Sequence, residues 1–237
     1  MLELKNISCG YGAFNAVHEL SLRLRPGTIT ALLGANGAGK SSTLMCIAGH
    51  GELQAGQILF AGHDISAMPA TQRVREGIAI SPEGRRLFKD LSVEDNLRVG
   101  GMIHPVKGYA RDRERVLGLF PRLGERLNSL AGNLSGGEQQ RLAIGRALMT
   151  RPKLIMIDEL SLGLMPKVID QCYQALQLLR SEGMTVLLVE QNTERALAAA
   201  DDVCVLESGA TVWRGSAADA RNDPSLTAAY LGLHAAA

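Results

Sequence analysis

No apolar run in the sequence approaches the roughly 18 to 20 residues that a bilayer-spanning helix needs. The start, Met1-Leu2-Glu3-Leu4-Lys5, lacks the apolar core of a secretory leader. The expectation is a chain that does not cross a membrane by itself and can serve one only as a peripheral subunit. A dominant charge is missing too. Lys and Arg number 25 against 24 Asp and Glu, a net charge of +1, so there is no electrostatic reason to expect nucleic acid. Cys9, Cys46, Cys172 and Cys204 are far apart and form no C-x-x-C pair. Neither a zinc site nor a disulfide framework is suggested, and a reducing cytosol is the natural compartment. His18, His50, His63, His104 and His234 show no ligand spacing, and there is no internal repeat or low-complexity linker.

What is there is an ordinary folding composition, 46% apolar and 21% charged. The 237 residues suffice for one large α/β domain or for one core with an inserted subdomain. One stretch organises the rest: Gly34-Ala35-Asn36-Gly37-Ala38-Gly39-Lys40-Ser41-Ser42, between the apolar run 29–33 and a helical pattern. Glycine, four residues, glycine, lysine, serine is a P-loop. Its glycines let successive N–H groups turn inward on a phosphate, and the following helix adds the positive end of its dipole. Lys40 reaches the β- and γ-phosphates, and the Ser41 hydroxyl is placed for Mg²⁺. The plainer alternative is a glycine-rich turn that happens to carry a lysine; the strand before it and the helix after it argue against that.

In chain order, residues 2–8 and 18–24 read as strands, the second with leucines alternating with polar residues. Strand 28–33, helix 39–49, strand 57–61, a short helix around 69–76 and strand 77–81 follow. From 83 to 132 apolar residues recur at helical spacing between glycine and proline breaks, which predicts a helical insertion. Helix 138–149, the continuous apolar strand 153–157, helix 166–182, strand 184–189, helix 192–200 and strand 202–207 restore the alternation of a parallel sheet. A short strand at 211–213, a helix or two and a fraying alanine tail end the chain. The expected fold is α/β: a P-loop NTPase core, its parallel sheet flanked by helices, with an N-terminal antiparallel β portion. The core spans 1–82 and 133–237, and the helical subdomain is inserted at 83–132.

Two further constellations carry chemistry. The strand Leu154-Ile155-Met156-Ile157 ends in Asp158-Glu159, a Walker B arrangement. Asp158 at the strand's carboxyl end suits Mg²⁺, and Glu159, turned the other way, can take a proton from, or orient, the attacking water. In Leu134-Ser135-Gly136-Gly137-Glu138-Gln139-Gln140-Arg141 a serine and two glycines open a helix, making a second anion cradle. Ser135 with Glu138 also matches a capping box, and both readings hold. Two cradles with one complete P-loop set suggest that Ser135, Gly136 and Gly137 serve another molecule's nucleotide.

Taken together, the P-loop, the Leu-Ser-Gly-Gly-Glu-Gln-Gln signature and the Asp-Glu strand end resemble the ATPase subunit of ATP-binding cassette transporters, over nearly the whole chain. The resemblance implies that two such subunits pair head to tail, each ATP lying between one P-loop and the other's signature. It implies Tyr11 as the aromatic that stacks on adenine, Glu83 as a Mg²⁺ ligand and Gln191 as the contact to the γ-phosphate. Glu83 stands where the family usually has glutamine, and Gln191 where it has histidine. Glutamate keeps a metal-binding oxygen and adds a negative charge; the glutamine amide can donate to phosphate but carries no charge. Met165 replaces a common aspartate, and Leu160 a common proline that would have fixed φ.

A subgroup accounts for most of these departures. Glu83-Gly84-Arg85-Arg86-Leu87-Phe88, Val189-Glu190-Gln191-Asn192, Ser161-Leu162-Gly163-Leu164 and Ala229-Tyr230-Leu231-Gly232 resemble ATPase subunits of branched-chain and hydrophobic amino acid uptake systems. The similarity is to the subunit that pairs with a second, different ATPase. It implies ATP and Mg²⁺ as cofactors. The implied partners are a second cassette ATPase (a heterodimer, with a homodimer open), two membrane permease subunits and, indirectly, a periplasmic solute-binding protein, at the cytoplasmic face of the inner membrane. The alternatives are an importer of urea or short amides, a cassette ATPase acting on ribosomes or DNA, and a nucleotide switch without turnover. The second would carry a charged linker between two cassettes or long coiled coils, and Glu159 argues against the third. Arg85-Arg86 suits either an acidic loop of a membrane subunit or solvent, and Arg111, Arg113 and Arg115 fit a solvent face.

Overall fold

Left-handed backbone at Gly12 (φ 56°) and Gly27 (φ 68°) cuts the start of the chain into three strands. The computed structural model, which describes residues 1–12, 14–223 and 226, runs them as β1 (Leu2–Tyr11), β2 (Phe14–Leu24) and β3 (Ile29–Leu33). Then come α1 (Lys40–Ala48), β4 (Glu52–Phe60), β5 (His63–Asp64), α2 (Ala70–Glu76) and β6 (Ile78–Ser81). Helices α3 (Val93–Gly101), α4 (Tyr109–Leu119) and α5 (Pro121–Gly124) and a 3₁₀ turn (Ala131–Asn133) precede α6 (Gly136–Leu148). The alternation resumes with β7 (Leu154–Asp158), α7 (Pro166–Ser181), β8 (Thr185–Glu190) and α8 (Thr193–Ala199). It ends with β9 (Asp202–Glu207), β10 (Ala210–Ser216) and α9 (Ala217–Asn222).

The strands form two sheets. One is antiparallel in the order β2-β1-β4-β5; the other runs β10-β9-β3-β8-β7-β6, parallel except for β10 against β9. Strands β3, β7 and β8 are buried along their whole length, which is why they read as continuous apolar runs. Alternate side chains go to opposite faces. Ile29, Ala31, Leu33, Ile155, Ile157, Val186 and Leu188 pack with residues of α3 to α8. Leu32, Leu154, Met156, Leu187 and Val189 pack with α1 and the antiparallel sheet. The parallel sheet is thus the middle layer, and each face buries its own apolar core.

Several expectations need adjusting. The strand expected at 57–61 begins at Glu52, because its exposed, polar first half pairs with β1 (Cys9 with Leu53, Gly10 with Glu52) and so shows no apolar pattern. The two-residue β5 is too short for a periodicity to reveal. The arginines of α4 do not all face solvent. Arg113 donates to Glu94 at 2.6 Å, beside the Tyr109 hydroxyl, which donates to the same carboxylate, and so ties α4 to α3. The Ala229-Tyr230-Leu231-Gly232 stretch lies outside the described residues.

Candidate functional site

Strand register brings the candidate residues to one edge. Leu33 pairs with Glu190, Asp158 with Val189 and Ser81 with Ile157, so β3, β8, β7 and β6 all end at the same level. The residues that follow them (the P-loop, Glu83, Glu159 and Gln191) emerge there together, at the carboxyl edge where α/β sheets bind ligands. A cleft of about 590 Å³ opens at this edge, lined among others by Asn36, Gly37, Gly39, Lys40, Ser41, Ser42, Glu83, Glu159 and Gln191.

The P-loop conformation depends on glycine at two close approaches. A Cβ at Gly34 would lie 2.3 Å from the Leu206 carbonyl oxygen, and one at Gly39 would lie 2.6 Å from that of Ala16. Gly39 (φ 98°) precedes α1 without a side-chain cap, so the first N–H groups of that helix are left for a ligand. Lys40 is 5% exposed; its ammonium donates to the carbonyls of Gly34 (2.8 Å) and Ala35 (3.0 Å) and lies 3.9 Å from Glu159 Oε1. A positive charge is therefore fixed inside the loop, facing the cleft acid. Ala35 and Ala38 complete the turn; the Ala38 N–H donates to the Ala35 carbonyl.

Asp158 is buried at the end of β7, while Glu159, the next residue, lines the cleft. Glu159 takes a left-handed conformation (φ 51°), which costs a residue bearing a Cβ roughly 1–2 kcal/mol. Its N–H donates to the Val189 carbonyl at 3.0 Å. Burial raises its proton affinity; the Gln191 hydrogen bond pulls it back, Glu190 pushes it up and Lys40 lowers it again. Asp158 is also raised by burial, with Ser41 opposing. Its Oδ1 is buried and has no hydrogen-bond partner among the described residues. An orphaned acid oxygen beside the Ser41 hydroxyl, with the Glu83 charge close enough to be felt, is a hard-oxygen set that suits Mg²⁺. Gln191 Nε2 donates to Asn36 Oδ1 at 2.6 Å, joining the end of β8 to the P-loop.

The loop carrying Glu83 is held under strain. Gly84, Arg85 and Arg86 are successively left-handed (φ 73°, 65° and 46°). Side chains strap it to α6. The Arg85 guanidinium donates to Gln139 and Gln140, while Arg146 donates to the Arg85 and Arg86 carbonyls and lies over the Phe88 ring at 5.3 Å. The Arg85 side chain therefore belongs to this junction, whereas Arg86 joins it through its carbonyl and keeps its own side chain exposed.

The second cradle is built differently. Ser135 caps α6 in a full capping box: its hydroxyl accepts from the Glu138 N–H at 3.3 Å, and its N–H donates to Glu138 Oε2 at 2.9 Å. A Cβ at Gly137 would meet Val168 Cγ1 at 2.5 Å, so that glycine is also needed for α6 to lie on α7. Gly136 looks toward Arg85 and Leu164. Ser135 and Gly137 line a separate concavity with Arg122, Arg126, Glu138 and Arg141, and they do not line the P-loop cleft.

Tyr11 stands at the end of β1, 54% exposed, and does not line the cleft. The aromatic that does is its cross-strand neighbour Phe14, 69% exposed. Sequence reading missed Phe14; the available signal was an aromatic placed just past a glycine turn. It also missed Leu162, a cleft residue on the loop after β7.

Residues 17–161 match the family model described as ABC transporter. The chain is 46% identical over 232 residues to the high-affinity branched-chain amino acid transport ATP-binding protein BraG of Pseudomonas aeruginosa, covering 98% of this chain and 100% of that one. It is 30% identical to BraF of the same organism, also a high-affinity branched-chain amino acid transport ATP-binding protein, over 98% of each chain. A solved structure described as the ATP-binding subunit of an ABC transporter superposes with a TM-score of 0.84 at 32% identity, covering 98% of this chain and 96% of that one. Geometry, family model and relatives agree, and the chain belongs to the ATP-binding cassette family of ABC transporters.

Proposed function

We propose that this cassette ATPase powers an importer of branched-chain amino acids, paired with a second cassette and docked on two membrane permeases. The supporting observation is the separation of the two cradles. Lys40, Ser41, Glu83, Glu159 and Gln191 converge on one cleft, while Ser135 and Gly137 open on another, so ATP held in the first is completed only by a neighbouring subunit's second. BraG, at 46% identity over its whole length, supports the substrate class, and BraF, a second and less similar ATP-binding protein for the same transport in the same organism, supports a heterodimeric pairing.

In this reading the P-loop amides and Lys40 hold the β- and γ-phosphates. Ser41, Asp158 and Glu83 hold Mg²⁺, which when bound neutralises phosphate charge. Glu159 orients a water and accepts its proton, and Gln191 donates to the γ-phosphate. Phe14 offers an apolar ring for the base, with Tyr11 paired beside it across the hairpin. The core runs through 1–82 and 133–237, and residues 83–132 form a helical subdomain whose exposed Phe88, Leu91, Met102 and Val106 suit a permease surface. Among the described residues no helix is long and apolar enough to cross a membrane. Docking on permeases assigns the chain peripherally to the cytoplasmic face of the inner membrane, with solute delivered by a periplasmic binding protein.

The decisive variant is Glu159→Gln in the assembled transporter. ATP should still bind, and phosphate release should fall by about 10²- to 10⁴-fold. Turnover at the wild-type rate would remove Glu159, and the mechanism built on it, from the protein.

A further inference from the structure

One acid at the carboxyl edge has no task in the hydrolytic reading. Glu190, the last residue of β8, is 0% exposed and does not line the cleft. Its carboxylate gathers donors from three parts of the chain. Oε1 accepts from the Ser161 N–H at 2.9 Å and the Tyr173 hydroxyl at 3.4 Å, and Oε2 from the Ser161 hydroxyl at 2.8 Å. The backbone N–H groups of Gln191 and Asn192 also turn back onto it. Burying a carboxylate costs several kcal/mol unless its lone pairs are satisfied, and these donors are what make the burial tolerable.

The identity of the donors is the informative part. Ser161 lies two residues beyond Glu159, on the loop that continues to the cleft residue Leu162. Gln191 and Asn192 begin the loop after β8. Tyr173, buried on α7, anchors the whole to a helix packed on the sheet. The network thus joins the loop after Glu159 to the loop that begins with Gln191. We infer that Glu190 is a positioning residue: its carboxylate latches the loop bearing Glu159 to the loop bearing Gln191, so that the water-orienting and phosphate-contacting groups move as one piece. The roles of Glu159 and Gln191 in this statement rest on the function proposed above; the latch itself rests on the hydrogen bonds.

Two measurements on wild type, Ser161→Ala, Ser161→Thr and Glu190→Gln test it. The first is amide hydrogen exchange on the full chain. Ser161→Ala removes one hydroxyl from the latch, and exchange should rise at residues 191–192 as well as at 161–163. Ser161→Thr, which keeps a hydroxyl, should restore protection at both. The second is ATP turnover by the assembled transporter. For Ser161→Ala and Glu190→Gln, kcat should fall by about 10- to 100-fold, the scale of small misplacements of catalytic groups, while KM for ATP stays within about twofold. Exchange confined to the mutated loop, or an unchanged kcat in both variants, would overturn the latch. So would a loss of kcat matched by an equal loss of ATP affinity. The exchange result does not depend on transport: coupled loops together with a fully active Glu159→Gln protein would leave the latch standing and remove the hydrolytic reading.

Discussion

Two helix openings in this chain draw on serine and glycine, placed differently, and leave their first turns in different states. At the P-loop the residue before α1 is Gly39, which brings no side chain to the free N–H groups, and a buried lysine waits beside them. At α6 the corresponding residue is Ser135, and Glu138 already occupies the opening with its carboxylate. The glycines differ as well. Gly37 has open space around its missing Cβ and needs glycine for its left-handed backbone (φ 80°), whereas Gly137 is helical and needs it because Val168 fills the space. One opening has no side chain of its own at the helix start. At the other a carboxylate already sits beside the first turn, so an anion arriving there must compete with it.

Removing the positive charge from the open site should break the contrast most severely. For Lys40→Ala, titration with ATP should show binding weakened by about 10- to 150-fold, the worth of a charge-assisted hydrogen bond. Next in size is Gly137→Ala, whose new methyl meets a stiff β-branched side chain. Overpacking of about 1–3 kcal/mol, a Tm lower by about 2–12 °C, should appear in thermal unfolding, with ATP binding to the isolated chain unchanged. Ser135→Ala removes a cap and should cost about 1 kcal/mol, or about 2–4 °C, again leaving ATP binding to the isolated chain intact.

The smallest effect is in pH. Burial works to raise the proton affinity of Glu138, but the Ser135 hydrogen bonds, with Arg126 and Arg122, overcome it and hold the carboxyl below its usual range. A lowered folded-state pKa contributes stability above the ordinary carboxylate pKa, and this is lost as pH falls through the folded value. Acid unfolding of Glu138→Gln should lack that component. Identical acid profiles for the two proteins would mean that the second opening is not held shut by charge.

The two openings also mark how far sequence carries. The P-loop was legible because spacing alone dictates its geometry, and Asp158-Glu159 because an apolar strand ending in acids is a local pattern. The fold class followed from alternating strands and helices, and the strand at 18–24 from leucines at 20, 22 and 24. Residues defined by what lies across from them were not legible. Phe14 reaches the cleft through a hairpin, Gly137 is explained by Val168 thirty-one positions on, and Glu190 acquires its partners only when β7 and β8 lie side by side. The exposed half of β4 was lost for a related reason, since a strand edge held by backbone pairing alone leaves no trace in side-chain periodicity.

The straps from Arg85 and Arg146 have a mechanical consequence. They bind the strained segment 84–88 to α6, the helix that Ser135 opens, while Glu83 at the head of that segment lines the nucleotide cleft. Phe88 sits at the outer end of this linkage, half exposed under a guanidinium. Because these contacts run without a gap from the ring to the α6 opening and to the segment that begins at Glu83, a displacement of Phe88 would have to disturb both.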